Sequence, residues 1–134
     1  MLVDEAKYIA GKRTNDGSVT GDGSFIWIGL VDATNTELTK YQRRFRLNDL
    51  AVEDALSGKQ RPKLNIYREH LLLVLKTISY DIGSKKITVG DVTLFLGNDF
   101  VITVRHGDAL PLRSIRANLE NQPQRLQEIG RAHV

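Results

Sequence analysis

From Lys63 to Val104 the sequence drops helical spacing and reads as strand after strand. Residues 63–66 alternate Lys, Leu, Asn, Ile. Residues 71–80 begin as a continuous apolar run and then alternate through Lys76, Thr77, Ile78, Ser79 and Tyr80. Residues 87–89, 92–96 and 100–104 are further short runs rich in β-branched and aromatic side chains. Asp81, Gly83 and Ser84 mark one turn, and Gly97-Asn98-Asp99 marks a hairpin-type connection. This punctuation predicts a series of antiparallel strands, and whatever precedes it must pack onto the resulting sheet.

What precedes it is one strand and two helices. Residues 25–30 (Phe, Ile, Trp, Ile, Gly, Leu) read as a buried strand. Thr34 followed three residues later by Glu37 is a capping-box pattern, so a helix starts there and carries Leu38, Tyr41 and Phe45 on its core stripe to an end near Arg46. Asn48 is a suitable cap for a second helix with Leu50, Ala51, Ala55 and Leu56 on its apolar side and Asp49, Glu53 and Asp54 on its polar side. Ser57-Gly58 stops it and Pro62 blocks continuation. Residues 3–13 suggest an edge strand or hairpin around Ala10-Gly11. Residues 14–24 read as a linker without the spacing of a calcium loop. Pro111 opens a last helical region with Leu112, Ile115 and Leu119 on one face, and Pro123 starts another turn with Leu126 and Ile129. This order predicts an α/β (α+β) chain with a mixed, mainly antiparallel sheet flanked by helices.

Several functions are disfavoured. The 134 residues suit one domain, and with no cysteine there is neither a disulfide framework nor a thiolate metal site. The net charge of +3 is scattered, and Arg43, Arg44 and Arg46 complement a helix end rather than forming a nucleic-acid surface. No apolar run approaches the roughly 18–20 residues of a membrane helix, and acidic and basic residues interrupt the first residues where a signal peptide would build, so direct membrane insertion is not expected. His70, His106 and His133 stand in separate segments without metal-ligand spacing. His70 is expected to be a packed or hydrogen-bonded side chain and His106 a structural residue at a strand end. The serines lie in no nucleophile pattern and no phosphate loop is present, so catalysis is not expected. Glu53 and Asp54 are adjacent carboxylates expected on an exposed helix face. Successive side chains point about 100° apart, so the two cannot chelate one ion closely. They can present charge to a hydrated cation, and magnesium keeps its waters and takes only one or two carboxylates.

Residues 51–56 (Ala, Val, Glu, Asp, Ala, Leu), a short spacer and Gln60-Arg61-Pro62-Lys63 resemble the helix-turn signature of the CorA transporter family. The tryptophan-bearing run at 25–28, Glu37-Leu38, Tyr67, the run at 71–75, Tyr80-Asp81 and residues 100–104 with His106 match that family in order and spacing; residues 1–24 do not. Gly29 and Asn48-Asp49 depart from its pattern, at element boundaries. The resemblance implies a single CorA-like N-terminal cytoplasmic domain over residues 1–134, folded as an α/β/α sandwich. It implies a place in a homopentameric channel for Mg2+ and Co2+ at the inner membrane, where divalent ions between subunits hold the closed state. By position it makes Asp54 the sensor ligand and Glu53 a contributor, completed by a carboxylate on a neighbouring subunit's stalk helix. Neither that helix nor the membrane helices are in these residues, so the domain by itself would hold Mg2+ weakly or not at all. A related zinc transporter, or a free-standing cytosolic binding or scaffold domain, would use the same fold.

Overall fold

The computed structural model describes residues 1–9, 12–14, 24–57, 61–107, 113–122 and 124–125. The strands are β1 (Leu2–Ile9), β2 (Lys12–Thr14), β3 (Phe25–Val31), β4 (Lys63–Ile66), β5 (His70–Asp81), β6 (Lys86–Gly97) and β7 (Phe100–His106). The helices are α1 (Asn35–Phe45), α2 (Asp49–Ser57) and α3 (Arg113–Glu120). The strands make one sheet in the order β2-β1-β3-β7-β6-β5-β4. Only β3 and β7 run parallel; the other neighbours are antiparallel. Those two central strands are apolar on both faces, as a doubly covered parallel pair requires.

Each face has its own core. On one, Ile28 and Leu30 of β3, Ile102 and Val104 of β7, Phe95 of β6, and Leu72 and Val74 of β5 receive Leu38 and Tyr41 of α1 and Ala51, Val52 and Ala55 of α2. On the other, Phe25, Trp27 and Val101 pack with Ala6 and Tyr8 of β1, and Leu119 of α3 lies against them. The expected layered α/β architecture is present, with α1 and α2 on one side of the sheet and α3 on the other.

The local signals explain the ends of α1. Thr34 Oγ1 accepts from the Glu37 backbone N–H at 3.2 Å, and Glu37 accepts from the Thr34 N–H at 3.1 Å, closing the capping box. Arg46 takes a left-handed conformation (φ 57°) at the other end. Three expectations are corrected or extended. The residues read as two strands, 87–89 and 92–96, form the single strand β6: Gly90 pairs opposite Thr77 and Asp91 opposite Lys76, whose ammonium ion-pairs with it. Leu50 is exposed, because α2 turns Ala51, Val52 and Ala55 inward instead. Residues 2–9 and 12–14, which carried little signal, form β1 and β2, and β1 supplies Ala6 and Tyr8 to the second core. The linker at 15–23, the turn at Ala10-Gly11, and Gly58, Pro111, Leu112, Pro123, Leu126, Ile129 and His133 lie outside the described residues.

Candidate functional site

The site is built on α2, and the two ends of that helix are fixed differently. At its start, Asn48 Oδ1 accepts from the backbone N–H of Leu50 at 2.9 Å, the expected cap. The Asn48 N–H in turn donates to His70 Nε2 at 3.0 Å. His70 is buried, and its Nδ1 lies 3.3 Å from the Leu71 carbonyl. An Nε2 that accepts requires the proton on Nδ1, so the ring is neutral and both nitrogens are used. Burial pushes the His70 imidazole below its ordinary range, with the Leu71 carbonyl and Glu69 opposing more weakly. Tyr67 and Phe95 flank the ring, at centroid distances of 5.1 and 5.7 Å. His70 is thus the packed, hydrogen-bonded residue expected.

The far end carries charge. With Ala51, Val52 and Ala55 facing the sheet, Glu53 falls on the outer side and is exposed, and Asp54 falls on the flank. Asp54 is not the fully exposed side chain expected from its polar neighbourhood. It is three-quarters covered, and Lys63 Nζ donates to its Oδ2 at 2.5 Å. Lys63 opens β4, the edge strand, and Pro62 keeps the preceding chain from continuing as helix. The Asp54–Lys63 ion pair thus joins the two halves of the sequence signature. Glu53 forms no ion pair among the described residues.

Beside this pair the last turn of α2 is tied to the sheet. His106 Nε2 bonds to the Ala55 carbonyl, satisfying one of the acceptors left open at a helix end. Its Nδ1 faces Asp32 Oδ1 at 4.0 Å, and Asp32 also accepts from the Gly107 N–H at 3.1 Å. The ring nitrogens of His106 are directed to a carbonyl and a carboxylate, a structural arrangement in keeping with its place at a strand end. Lys76 and Asp91 pair on the same face of the sheet. Sequence reading found Asp54 and Glu53 but missed that Lys63, Lys76, Asp91, Asp32 and His106 gather at the same end of α2. Lys63, inside the Gln-Arg-Pro-Lys signature, was the one available clue.

Chemically this is a surface of carboxylates, each of the aspartates beside a single cationic or titratable partner. No group of three or more His, Asp or Glu among the described residues is placed to hold a metal ion. Asp54 can offer one ligand, and Glu53 can hold charge or water nearby. No helix among the described residues is long and apolar enough to cross a membrane.

The family model described as CorA-like Mg2+ transporter protein matches residues 22–132. The chain is 25% identical over 113 residues to YfjQ of Bacillus subtilis, covering 84% of this chain and 34% of that protein. It is 27% identical over 77 residues to the cobalt/magnesium transport protein CorA of Thermotoga maritima, covering 57% of this chain and 22% of that one. The solved structure of the full-length CmaX protein matches with a TM-score of 0.70 at 18% identity, over 90% of this chain and 39% of that chain, which shows a shared fold. The chain therefore spans well under half the length of each of these relatives.

Proposed function

The chain belongs to the family of CorA-like Mg2+ transporter proteins, and from that membership we propose that it is the cytoplasmic regulatory domain of a channel for magnesium, and for cobalt, sensing the ion at the Asp54 flank of α2. In this reading Asp54 is the ligand, Glu53 adds negative charge beside it, and the remaining oxygens come from a neighbouring subunit of a homopentamer. The protein is then a channel rather than an enzyme, and the domain lies at the inner face of the cell membrane.

The observation that carries the reading is the Asp54–Lys63 pair. A carboxylate one-quarter exposed at a helix flank is neutralised by one ammonium group. Within one chain that pairing is complete. When a second carboxylate is brought against the same flank, the lysine leaves one negative charge uncompensated. A dication offers twice the charge at similar distance, so it relieves repulsion that Lys63 cannot. Ion occupancy then favours the arrangement in which the subunits are held together. Loss of the ion restores repulsion and releases them, an equilibrium biased by differential affinity. Magnesium suits such a junction because it keeps most of its waters and needs few carboxylates.

The test is transport by the protein expressed from its complete reading frame and reconstituted in liposomes. Asp54→Ala is expected to keep conducting at internal magnesium concentrations that close the unaltered protein. Closure at the same magnesium concentration in both would remove Asp54 from the sensor.

A further inference from the structure

The hairpin of β5 and β6 is longer than the sheet around it. β4 pairs with β5 only as far as Val74, and β7 pairs with β6 only as far as Asp91. Beyond Lys76 and Asp91, β5 and β6 continue as a two-stranded arm with no flanking strand among the described residues, through the register pairs Thr77↔Gly90, Ile78↔Val89, Ser79↔Thr88, Tyr80↔Ile87 and Asp81↔Lys86. Strand alternation puts Ile78, Tyr80, Ile87 and Val89 on one face of that arm, the same face as Leu72, Val74 and Phe95, which α1 and α2 cover. None of the four is covered: each is more than half exposed. Single exposed apolar residues need no explanation, whereas four in two adjacent cross-strand pairs form a contiguous patch of the kind that marks an interaction site. An isolated two-stranded ribbon is also marginal in water without something against its apolar face.

We propose that this arm docks on a second copy of the protein, its Ile78, Tyr80, Ile87 and Val89 face forming the apolar part of the subunit junction whose polar part is Asp54. The inference rests on the reading of Asp54 given above. Two observations choose this occupant over the remainder of the same chain. The first is continuity: the ion pairs Lys63–Asp54 and Lys76–Asp91 lie on the same face, and Ile78 and Val89 follow the second pair directly along both strands. A neighbour that reaches Asp54 on this face meets the arm next. The second is the course of the chain. The last described segment lies on the opposite face, with Leu119 on the second core, and at the opposite edge of the sheet, where Glu120 accepts from Tyr8 Oη at 2.6 Å and from Arg13 at 3.1 Å. The α3 segment therefore sits on the face and at the edge of the sheet opposite the arm's apolar side.

The test uses the protein from its complete reading frame, with a photo-crosslinking amino acid replacing Tyr80. Illumination in magnesium is expected to give a product of twice the protomer mass, and Ile78→Ser with Val89→Ser is expected to cut its yield by about tenfold, as loss of two apolar anchors at an interface does. An unchanged circular dichroism melt would show that the doubly substituted protein keeps its fold. A crosslink confined to one protomer, to lipid or to a different protein overturns the proposal, as does no crosslink at all. The Asp54 reading fails separately. If Asp54→Ala transports and closes as the unaltered protein does while the doubled product still forms, the arm stands and the sensor assignment falls. If Asp54→Ala loses closure but no doubled product forms, the reverse holds.

Discussion

The two ends of α2 solve the same problem with opposite means. At the start, a neutral imidazole nine-tenths buried and ringed by Tyr67 and Phe95 receives the Asn48 N–H in a bond that involves no charge. At the end, the Ala55 carbonyl is met by His106, and the flank carries Asp54, Lys63 and an exposed Glu53. The hydrogen bond at the buried end contains no charge for ions to screen. The ion pair at the other end is partly exposed and therefore open to screening and to competition from other cations. A helix anchored at one end and electrostatically adjustable at the other is suited to report on an ion.

That contrast is broken most severely at His70. Truncation by His70→Ala removes a packed ring and leaves the partly buried Asn48 N–H without its acceptor, which together cost about 2–4 kcal/mol. Urea denaturation of the two proteins measures it, and a loss below about 0.5 kcal/mol, the size of an ordinary surface change, would show that His70 does not anchor α2. Acid sharpens the same point. Burial holds the folded-state imidazole below its ordinary value of about 6.5, so the unfolded chain takes up the proton first. This contribution is constant above that value and destabilises the fold progressively as pH falls below it. The difference between the unaltered protein and His70→Ala should therefore shrink on acidification from neutrality; a difference that stays constant would contradict the linkage. The charged end should matter least to folding. Asp54→Ala is expected to cost about 1 kcal/mol or less, as partly exposed ion pairs do, and a loss of several kcal/mol would make Asp54 a structural clamp.

Much of the fold was legible because its signals are local. Thr34 and Glu37 make a capping box three residues apart, Asn48 caps its own helix, and the hairpin at Asn98-Asp99 joins adjacent strands. Each of these is decided within a few residues. What escaped depends on partners far along the chain. Gly90 and Asp91 look like a break in a strand until Thr77 and Lys76 are seen opposite them. β1 looks weak because its partner β3 lies beyond an intervening stretch, and because Tyr8 finds its hydrogen bond on Glu120 in α3. Leu50 reads as part of the apolar side but turns outward, because neighbours in a helix point about 100° apart and Ala51 is the one that faces the sheet. At the site, the carboxylates were legible as residues and their surroundings were not. Nothing in the sequence announces that Lys63, nine positions on, sits on Asp54, which changes the expected free surface into a partly covered ion pair.

The most direct measurement is the structure of the complete assembly, determined once in magnesium and once in chelator. The account predicts an ion in the first between Asp54 of one subunit and a carboxylate of the next, reached directly or through its waters, with Lys63 drawn away from Asp54, and in the second an empty, widened junction. Asp54 facing bulk solvent in both, still held by Lys63 and distant from every neighbour, would contradict it.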